Sequence, residues 1–265
     1  MSVYKNTKAT ELRECFDSLL EQTVRADEYI LVVDGAISEE LQTQIDGLKT
    51  DIPSLIVVPL EVNRGLGLAL RAGMEYCSNE LIARMDTDDI AEPTRFEKQL
   101  ACFERDPDLS IVGSNIAEFQ DEANNITSYR NVPETHDEIC EFLKKRCPFN
   151  HMTVMFKKSE VEKAGGYLDW HYNEDSYLWV RMYLAGSKFY NIPENLVFAR
   201  IDANTFKRRG GYKYYKSERD LFKFMRKNGI ISAGAYMKAK LVRFITYVLM
   251  PNGMREWAFK KFARG

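Results

Sequence analysis

Ala83-Arg84-Met85-Asp86-Thr87-Asp88-Asp89-Ile90 is the stretch around which the chain is organised. The run from Glu80 to Met85 reads as a short buried strand, and it ends on three carboxylates within four positions. Pro93 follows at what reads as the first turn of a helix, a position that has no use for its missing N–H. The acids are thus expected in a loop at the carboxyl end of a strand, where open α/β sheets place their ligands. Three anions that close repel one another unless a cation joins them, and a hard divalent ion with oxygen ligands is the natural candidate.

Three readings compete for these acids. One is a solvated turn with helix-capping aspartates. An EF-hand loop would use Asp86, Asp88 and Glu97 at positions one, three and twelve, but Ile90 and Ala91 replace its fifth ligand and turn glycine, and Pro93 disrupts it. A phosphohydrolase with an Asp-X-Asp-X-Thr nucleophile would carry that motif on its first strand, with Thr or Val where Ile90 stands. The sharper reading is a metal site that grips a diphosphate.

A length of 265 residues, 45% hydrophobic and 29% charged, suits one large α/β domain with an appended segment. The apolar runs are too short to span a bilayer and no signal peptide is evident. Cys15, Cys77, Cys102, Cys140 and Cys147 are odd in number and lack Cys-X-X-Cys spacing, as expected of reduced thiols in a cytoplasmic protein. The net charge of −2 conceals an asymmetry. Residues 1–206 hold 21 Lys+Arg against 36 Asp+Glu, and residues 207–265 hold 16 against 3, so net charges of −15 and +13 adjoin. The acidic body argues against nucleic acid as a partner, whereas the basic tail calls for an anionic one.

In chain order, Ser2-Val3-Tyr4 reads as the end of a strand, and Leu12, Cys15, Phe16, Leu19 and Leu20 mark one face of a helix from Thr10 to Gln22. Tyr29 to Val33 lacks alternation, as a parallel strand buried on both faces should. A helix capped by Ser38 runs to Leu48, a strand runs from Ser54 to Leu60, and Asn63-Arg64-Gly65-Leu66-Gly67 opens a helix ending near Ser78. Gly-X-Gly there either permits close helix packing or lets backbone N–H groups approach a phosphate; the full dinucleotide fingerprint is absent. Helix Pro93–Arg105, strands Ile111–Phe119 and Thr153–Phe156, a helix around Glu134–Lys145, a helix opened by Asn173-Glu174-Asp175 and a strand from Asn191 to Ile201 complete the body. This alternation predicts a parallel, doubly wound sheet. Beyond it come a basic helix from Tyr212 to Lys227 and a second from Ser232 to Met250. The latter carries Met237, Leu241, Phe244, Ile245 and Val248 on one face and Lys238, Lys240 and Arg243 on others. Trp257, Phe259 and Phe262 follow among Lys260, Lys261 and Arg264. Such a segment suits either docking on its own domain or an interfacial role at anionic lipid.

Met1-Ser2-Val3-Tyr4, Val33-Asp34-Gly35, Asn63-Arg64-Gly65-Leu66-Gly67, Arg84 to Asp89, Pro148-Phe149-Asn150-His151 and Glu174 to Arg181 occur in the order found in family 2 glycosyltransferases of the GT-A fold, and the chain resembles the amylovoran-type exopolysaccharide transferases. The resemblance implies a Rossmann-like α/β domain over residues 1–206, its sheet mostly parallel and flanked by helices, with a basic helical segment over 207–265. It implies an inverting, metal-dependent transfer from a nucleotide-diphosphate sugar, with UDP favoured. The acceptor would be a hydroxyl on a glycan or polyprenyl-diphosphate-linked lipid, in exopolysaccharide, capsule or O-antigen synthesis. By the same resemblance Tyr4 and Asp34 hold the nucleobase and Asn63 and Gly65 lie near the ribose or base. Arg84, Asp86 and Asp88 meet the nucleotide sugar, with Asp88 the ligand of Mn²⁺ or Mg²⁺. Asp175 is the catalytic base. His151, Glu174 and Trp179 are candidates for acceptor or phosphate contacts, His151 being equally readable as a core histidine. The family's first strand is normally longer than the one here, which implies either a chain starting part-way along it or a stunted central strand. The expected location is cytoplasmic, at the inner face of the membrane where the tail makes contact. An inert nucleotide-binding scaffold and a metal-dependent phosphohydrolase are the alternatives.

Overall fold

A computed structural model of the chain describes residues 1–201, 210–251 and 253–255. The expected boundary at 206/207 and the Trp257–Arg264 cluster lie outside the described residues. The first half alternates β1 (Ser2–Val3), α1 (Ala9–Leu20), β2 (Tyr29–Asp34), α2 (Glu39–Asp51), β3 (Leu55–Leu60), α3 (Leu66–Met74) and β4 (Leu81–Ala83). Then come β5 (Ile90–Ala91), α4 (Arg95–Arg105), β6 (Leu109–Phe119), β7 (Ile126–Arg130), α5 (His136–Leu143), a 3₁₀ turn at His151–Thr153, β8 (Met155–Lys157) and α6 (Lys158–Lys163). The last elements are α7 (Glu174–Leu184), β9 (Lys188–Arg200), α8 (Tyr212–Lys227) and α9 (Ala233–Phe244), which continues as a π-helical turn over Ile245–Leu249.

β1, β2 and β3 form a parallel sheet in which every residue of β2 is buried, as its unbroken apolar run predicts. Six strands form a second sheet in the order β4-β8-β6-β9-β5, with β7 beside the far half of β6. Here only β6 and β9 run parallel; the β4–β8, β6–β8, β6–β7 and β5–β9 pairs are antiparallel. The mostly parallel character expected therefore belongs to the β1–β3 half of the molecule, and the other half is mixed.

Two local expectations are corrected. Pro93 does not lie in the first turn of α4. Ile90 and Ala91 pair with Phe198 and Val197 of β9, which keeps the backbone extended past the acids. The helix starts only at Arg95, where the Glu92 carboxylate accepts from the Thr94 N–H at 2.8 Å. The strand expected over Glu80–Met85 is regular only over Leu81–Ala83.

The amino-terminal ammonium donates to the Ile30 carbonyl at 3.0 Å, and a cavity of about 400 Å³ separates Tyr29 and Ile30 from Leu81, Ile82 and Ala83. This void lies at the amino end of β1, away from Tyr4.

The basic segment is built into the body. Leu221, Phe222 and Met225 of α8 share a buried cluster with Trp179, Val180 and Met182 of α7. Asn173 donates to the Ser217 hydroxyl at 3.0 Å, and Arg243 of α9 pairs with Glu218 at 2.7 Å. Tyr236, Arg243, Phe244 and Tyr247 are partly buried, while Met237, Leu241, Val242, Ile245 and Leu249 are exposed. The face expected to hold Phe244 with Met237 and Leu241 is thus divided. Among the described residues no helix is long and apolar enough to cross a membrane. Truncating the buried Leu221 to Ala should cost about 2–5 kcal/mol, as cavity-forming core changes do. The thermal midpoint should fall in a single transition; two transitions with only one displaced would show that α8 melts independently of the body.

Candidate active site

The Asp86, Asp88 and Asp89 carboxylates offer oxygen atoms all within 4.8 Å of one another. Loss of hydration and the nearby Asp86 push the Asp88 carboxyl up to about 6, although its side chain reaches solvent. Asp89 is buried, and burial together with Asp88 and Asp86 raises its pKa well above the usual carboxylate range. One Asp89 oxygen accepts from the Arg200 N–H at 2.8 Å; the other is buried with no partner among the described residues. An all-oxygen donor set, mutually repelling and with one orphaned oxygen, fits a hard divalent cation.

Three arginines hold this loop. Arg84 is buried and bonds Asp86 directly. Arg95 has no exposed surface; it donates to the Arg84 carbonyl at 2.7 Å, to Gln99 at 3.1 Å and to the Met85 sulfur at 3.1 Å. Burial brings its pKa down to about 9. Arg200, at the end of β9, donates through Nε to the Asp88 carbonyl at 3.1 Å and through Nη1 to the Asp121 carbonyl at 3.0 Å. The motif reading missed both Arg95 and Arg200.

The β2 and β3 loops are joined through Asp34. Its two carboxylate oxygens accept from the Arg64 and Gly65 N–H groups at 2.7 and 3.0 Å, and the Asn63 amide donates to its carbonyl at 3.0 Å. Gly35, at φ +83°, lets this happen: a Cβ there would stand 2.6 Å from the Asn63 nitrogen. Tyr4 is partly exposed just after β1. Asp34, Asn63 and Gly65 thus form one cradle at the sheet's carboxyl edge, in which Asp34 positions the backbone.

α7 reaches the same edge. Gly67 of α3 allows the approach, since a Cβ would lie 2.8 Å from the Leu168 carbonyl oxygen and 3.0 Å from the Glu174 Cβ. The two acids at the start of α7 face different surroundings. Burial and the neighbouring Asp175 raise the Glu174 carboxyl to about 7, and it also feels the charges of Arg84 and Asp86. Asp175 lies at a separate cavity, where the Cys147 thiol donates to its Oδ2 at 3.7 Å. Burial and the Asp175 charge hold that thiol up at about 12, so it remains a protonated donor. His151 shares a 2.9 Å hydrogen bond with the Tyr167 hydroxyl, and burial next to Arg84 lowers its pKa well below the usual value. A neutral imidazole can share a hydrogen bond there but does not bring a positive charge. Trp179 has no exposed surface and packs edge-on against Phe149 and His151. It supports the site from below and does not face an acceptor.

An α/β body with an acidic loop at the strand ends and an acid pair on a facing helix has the architecture of a GT-A glycosyltransferase. The fold matches that of a mannosyltransferase from Pyrobaculum calidifontis determined with GDP-Man and Mn²⁺, at a TM-score of 0.62 over 96% of this chain and 70% of that one, with 14% identity. Residues 1–162 match the model of glycosyl transferase family 2, and the chain belongs to that family. It is 37% identical to the amylovoran biosynthesis glycosyltransferase AmsE of Erwinia amylovora, over all of this chain and 98% of that protein. It is 34% identical to the Escherichia coli UDP-Gal:alpha-D-GlcNAc-diphosphoundecaprenol beta-1,3-galactosyltransferase, over all of this chain and 95% of that one.

The raised Glu174 carboxyl has a measurable consequence. Between its ordinary value of 4.5 and about 7 the folded chain holds a proton that the unfolded chain has lost. Stability contributed by this group is therefore present at low pH and falls as pH rises through that window. Glu174→Gln should raise the melting temperature in EDTA by a few degrees at pH 8 and leave it nearly unchanged at pH 4.5. An equal effect at both pH values would show that Glu174 is not held protonated by its surroundings.

Proposed function

We propose that the chain is an inverting glycosyltransferase that moves a sugar from a nucleotide-diphosphate donor, a UDP-sugar in the first instance, to a hydroxyl of a lipid-linked glycan acceptor in exopolysaccharide, capsule or O-antigen synthesis. The observation that carries this reading is that the start of α7 meets the acidic loop, Glu174 feeling the charges of Arg84 and Asp86 while its neighbour Asp175 borders an adjoining cavity. The names of the two relatives support a polysaccharide role, a UDP-sugar donor and an acceptor on a lipid diphosphate.

The cradle of Asp34, Asn63 and Gly65, with Tyr4 beside it, receives the nucleoside, and Arg84 and Asp86 orient the sugar-diphosphate. Asp88, with Asp86 and Asp89 alongside, would hold a divalent ion, Mn²⁺ or Mg²⁺, which would supply positive charge for the departing diphosphate. Asp175 accepts the proton of the acceptor hydroxyl as its oxygen bonds to the anomeric carbon; the carbon–oxygen bond to the diphosphate breaks and its electron pair leaves with the nucleotide. A single displacement of this kind inverts the anomeric centre and needs one base. His151 and Glu174 border the reacting groups, Glu174 on the side of Arg84 and Asp86.

The exposed stripe of Met237, Leu241, Ile245 and Leu249, with Lys238 and Lys240 beside it, forms the surface that rests on anionic lipid at the inner face of the membrane.

Asp175→Asn should keep the affinity for the donor nucleotide and lose transfer by ~10²–10⁴-fold, the usual worth of a positioned base. Calorimetry with UDP and Mn²⁺ and turnover across a panel of nucleotide sugars would read the two separately. Normal turnover by Asp175→Asn would overturn the assignment of the base, and equal UDP affinity with Mn²⁺ and with EDTA would overturn that of the metal. Binding to phosphatidylglycerol vesicles should weaken as salt rises, since such attraction decays over about 8 Å at physiological ionic strength. It should also weaken in Leu241→Ser/Ile245→Ser; vesicle binding indifferent to both would leave α9 without a role at lipid.

A further inference from the structure

Asp175 borders a cavity of about 270 Å³, slightly below the roughly 300–1,000 Å³ of ordinary ligand sites. One wall is the start of α7 and the turn at Cys147–Pro148; the other is α8, α9 and the turn after it. The cavity is therefore shared by the α/β body and the basic segment. If Asp175 takes the proton of the incoming hydroxyl, as proposed above, the acceptor reaches it through this space.

The lining has a specific chemistry. Among the described residues, Arg130, Arg146 and Arg243 contribute three guanidiniums to the lining against the two carboxylates of Asp175 and Glu218. Glu218 is bound by Arg243 Nε at 2.7 Å, and Arg243 is further fixed by donating to the Lys145 carbonyl at 2.8 Å and stacking 3.8 Å from the Phe222 ring centre. Arg130 is held through the Cys147 carbonyl at 3.3 Å. Arginines gathered there suit a ligand that brings its own negative charge, and phosphate oxygens match the guanidinium fork. Tyrosine rings form a second wall: Tyr172 and Tyr214 lie 5.5 Å apart and Tyr214 and Tyr247 4.9 Å apart, centre to centre. Tyr172 takes a φ of +76°, uncommon for a bulky residue. Arg243 also lies on α9, whose outward stripe exposes Leu241, Val242 and Ile245. One short helix thus carries a cation into the cavity and an apolar surface away from it.

We propose that this cavity is the acceptor subsite and takes a sugar joined through phosphate to a lipid, with the sugar hydroxyl at Asp175, the ring against Tyr172 and Tyr214, and the phosphates on Arg130, Arg146 and Arg243. The proposal rests on Asp175 being the base. The acceptor's phosphates are bound and not altered: the bonds made and broken are those at the donor's anomeric carbon.

The test is direct binding to the full chain in EDTA, where the acidic loop repels anions and only the arginine cavity should hold them. The probes are inorganic pyrophosphate, a short-alkyl N-acetylglucosaminyl diphosphate and the uncharged alkyl glycoside of the same sugar. The glycosyl diphosphate should bind more tightly than pyrophosphate, and both more tightly than the glycoside. Arg146→Gln and Arg243→Gln should each weaken both charged probes by about tenfold or more, with UDP affinity in Mn²⁺ unchanged as evidence of folding. Arg243→Lys, which keeps a charge but loses the fork, should fall between. Equal binding of the charged probes and the glycoside, or affinities unmoved in Arg146→Gln, would overturn the proposal. Failure of the base reading is distinguishable: Asp175→Asn would then transfer normally while the arginine variants still lost the charged probes. Vesicles of phosphatidylglycerol that compete with the glycosyl diphosphate would show a general lipid-phosphate site and overturn the assignment to a sugar-bearing acceptor.

Discussion

Three carboxylates held within 4.8 Å of one another set the terms for the fold around them. At such separations unit charges repel by several kcal/mol at the effective dielectric of a protein surface, so the loop keeps its shape only because other parts of the chain hold it. Arg84 neutralises Asp86. Arg95 pins the Arg84 carbonyl from beneath, at the cost of burying a guanidinium whose donors must then be satisfied. Arg200 binds Asp89 through its backbone and Asp88 through its side chain. The short β5 strand ties Ile90 and Ala91 to β9 immediately after the acids. The scaffold supplies positive charge to the flanks of the cluster and leaves its centre, with the unpartnered Asp89 oxygen, for a cation.

How far the sequence reveals this depends on the range of the interaction. β2 was legible because burial on both faces leaves an unbroken apolar run, and α2 because Ser38 caps it, accepting from the Leu41 N–H. α8 begins and ends where its pattern does. β5 and β7 were not legible. A two-residue strand has no period, and Ile126–Arg130 alternates too weakly among polar neighbours to signal an edge strand. The mixed pairing of the second sheet was hidden for the same reason, since direction is set by partners distant in sequence.

In the site, residues whose roles are local were visible and those acting at a distance were not. Asp86, Asp88, Glu174 and Asp175 stand out as clusters. Arg200 looks like any strand-end arginine until the fold brings it to Asp89, 111 residues earlier. Trp179 sits inside a recognisable motif, yet its position on α7 turns it into the core, where burial excludes contact with a ligand. The apolar residues of α9 gave one face by simple periodicity; the structure turns Phe244 inward against Tyr215 and leaves Leu241 and Ile245 outside.

Glu174 and Asp175 diverge from one helix start into two environments. Successive helical residues point about 100° apart, so the adjacent acids at the start of α7 face different surroundings. Glu174 lies within reach of the Arg84 and Asp86 charges, and its burial together with the neighbouring Asp175 favours its protonated form. Asp175 is turned toward the cavity closed by α8 and α9, where the Cys147 thiol donates to it and arginines line the walls. The same helix is anchored from both sides: Gly67 admits α3 against Glu174, and Asn173 is bonded to Ser217 of α8. A shift of the basic segment would therefore be felt at Asp175 before it reached the acidic loop. Its coupling to α7 makes α8 and α9 a wall of the cavity that Asp175 borders, so the body and the basic segment meet at that acid.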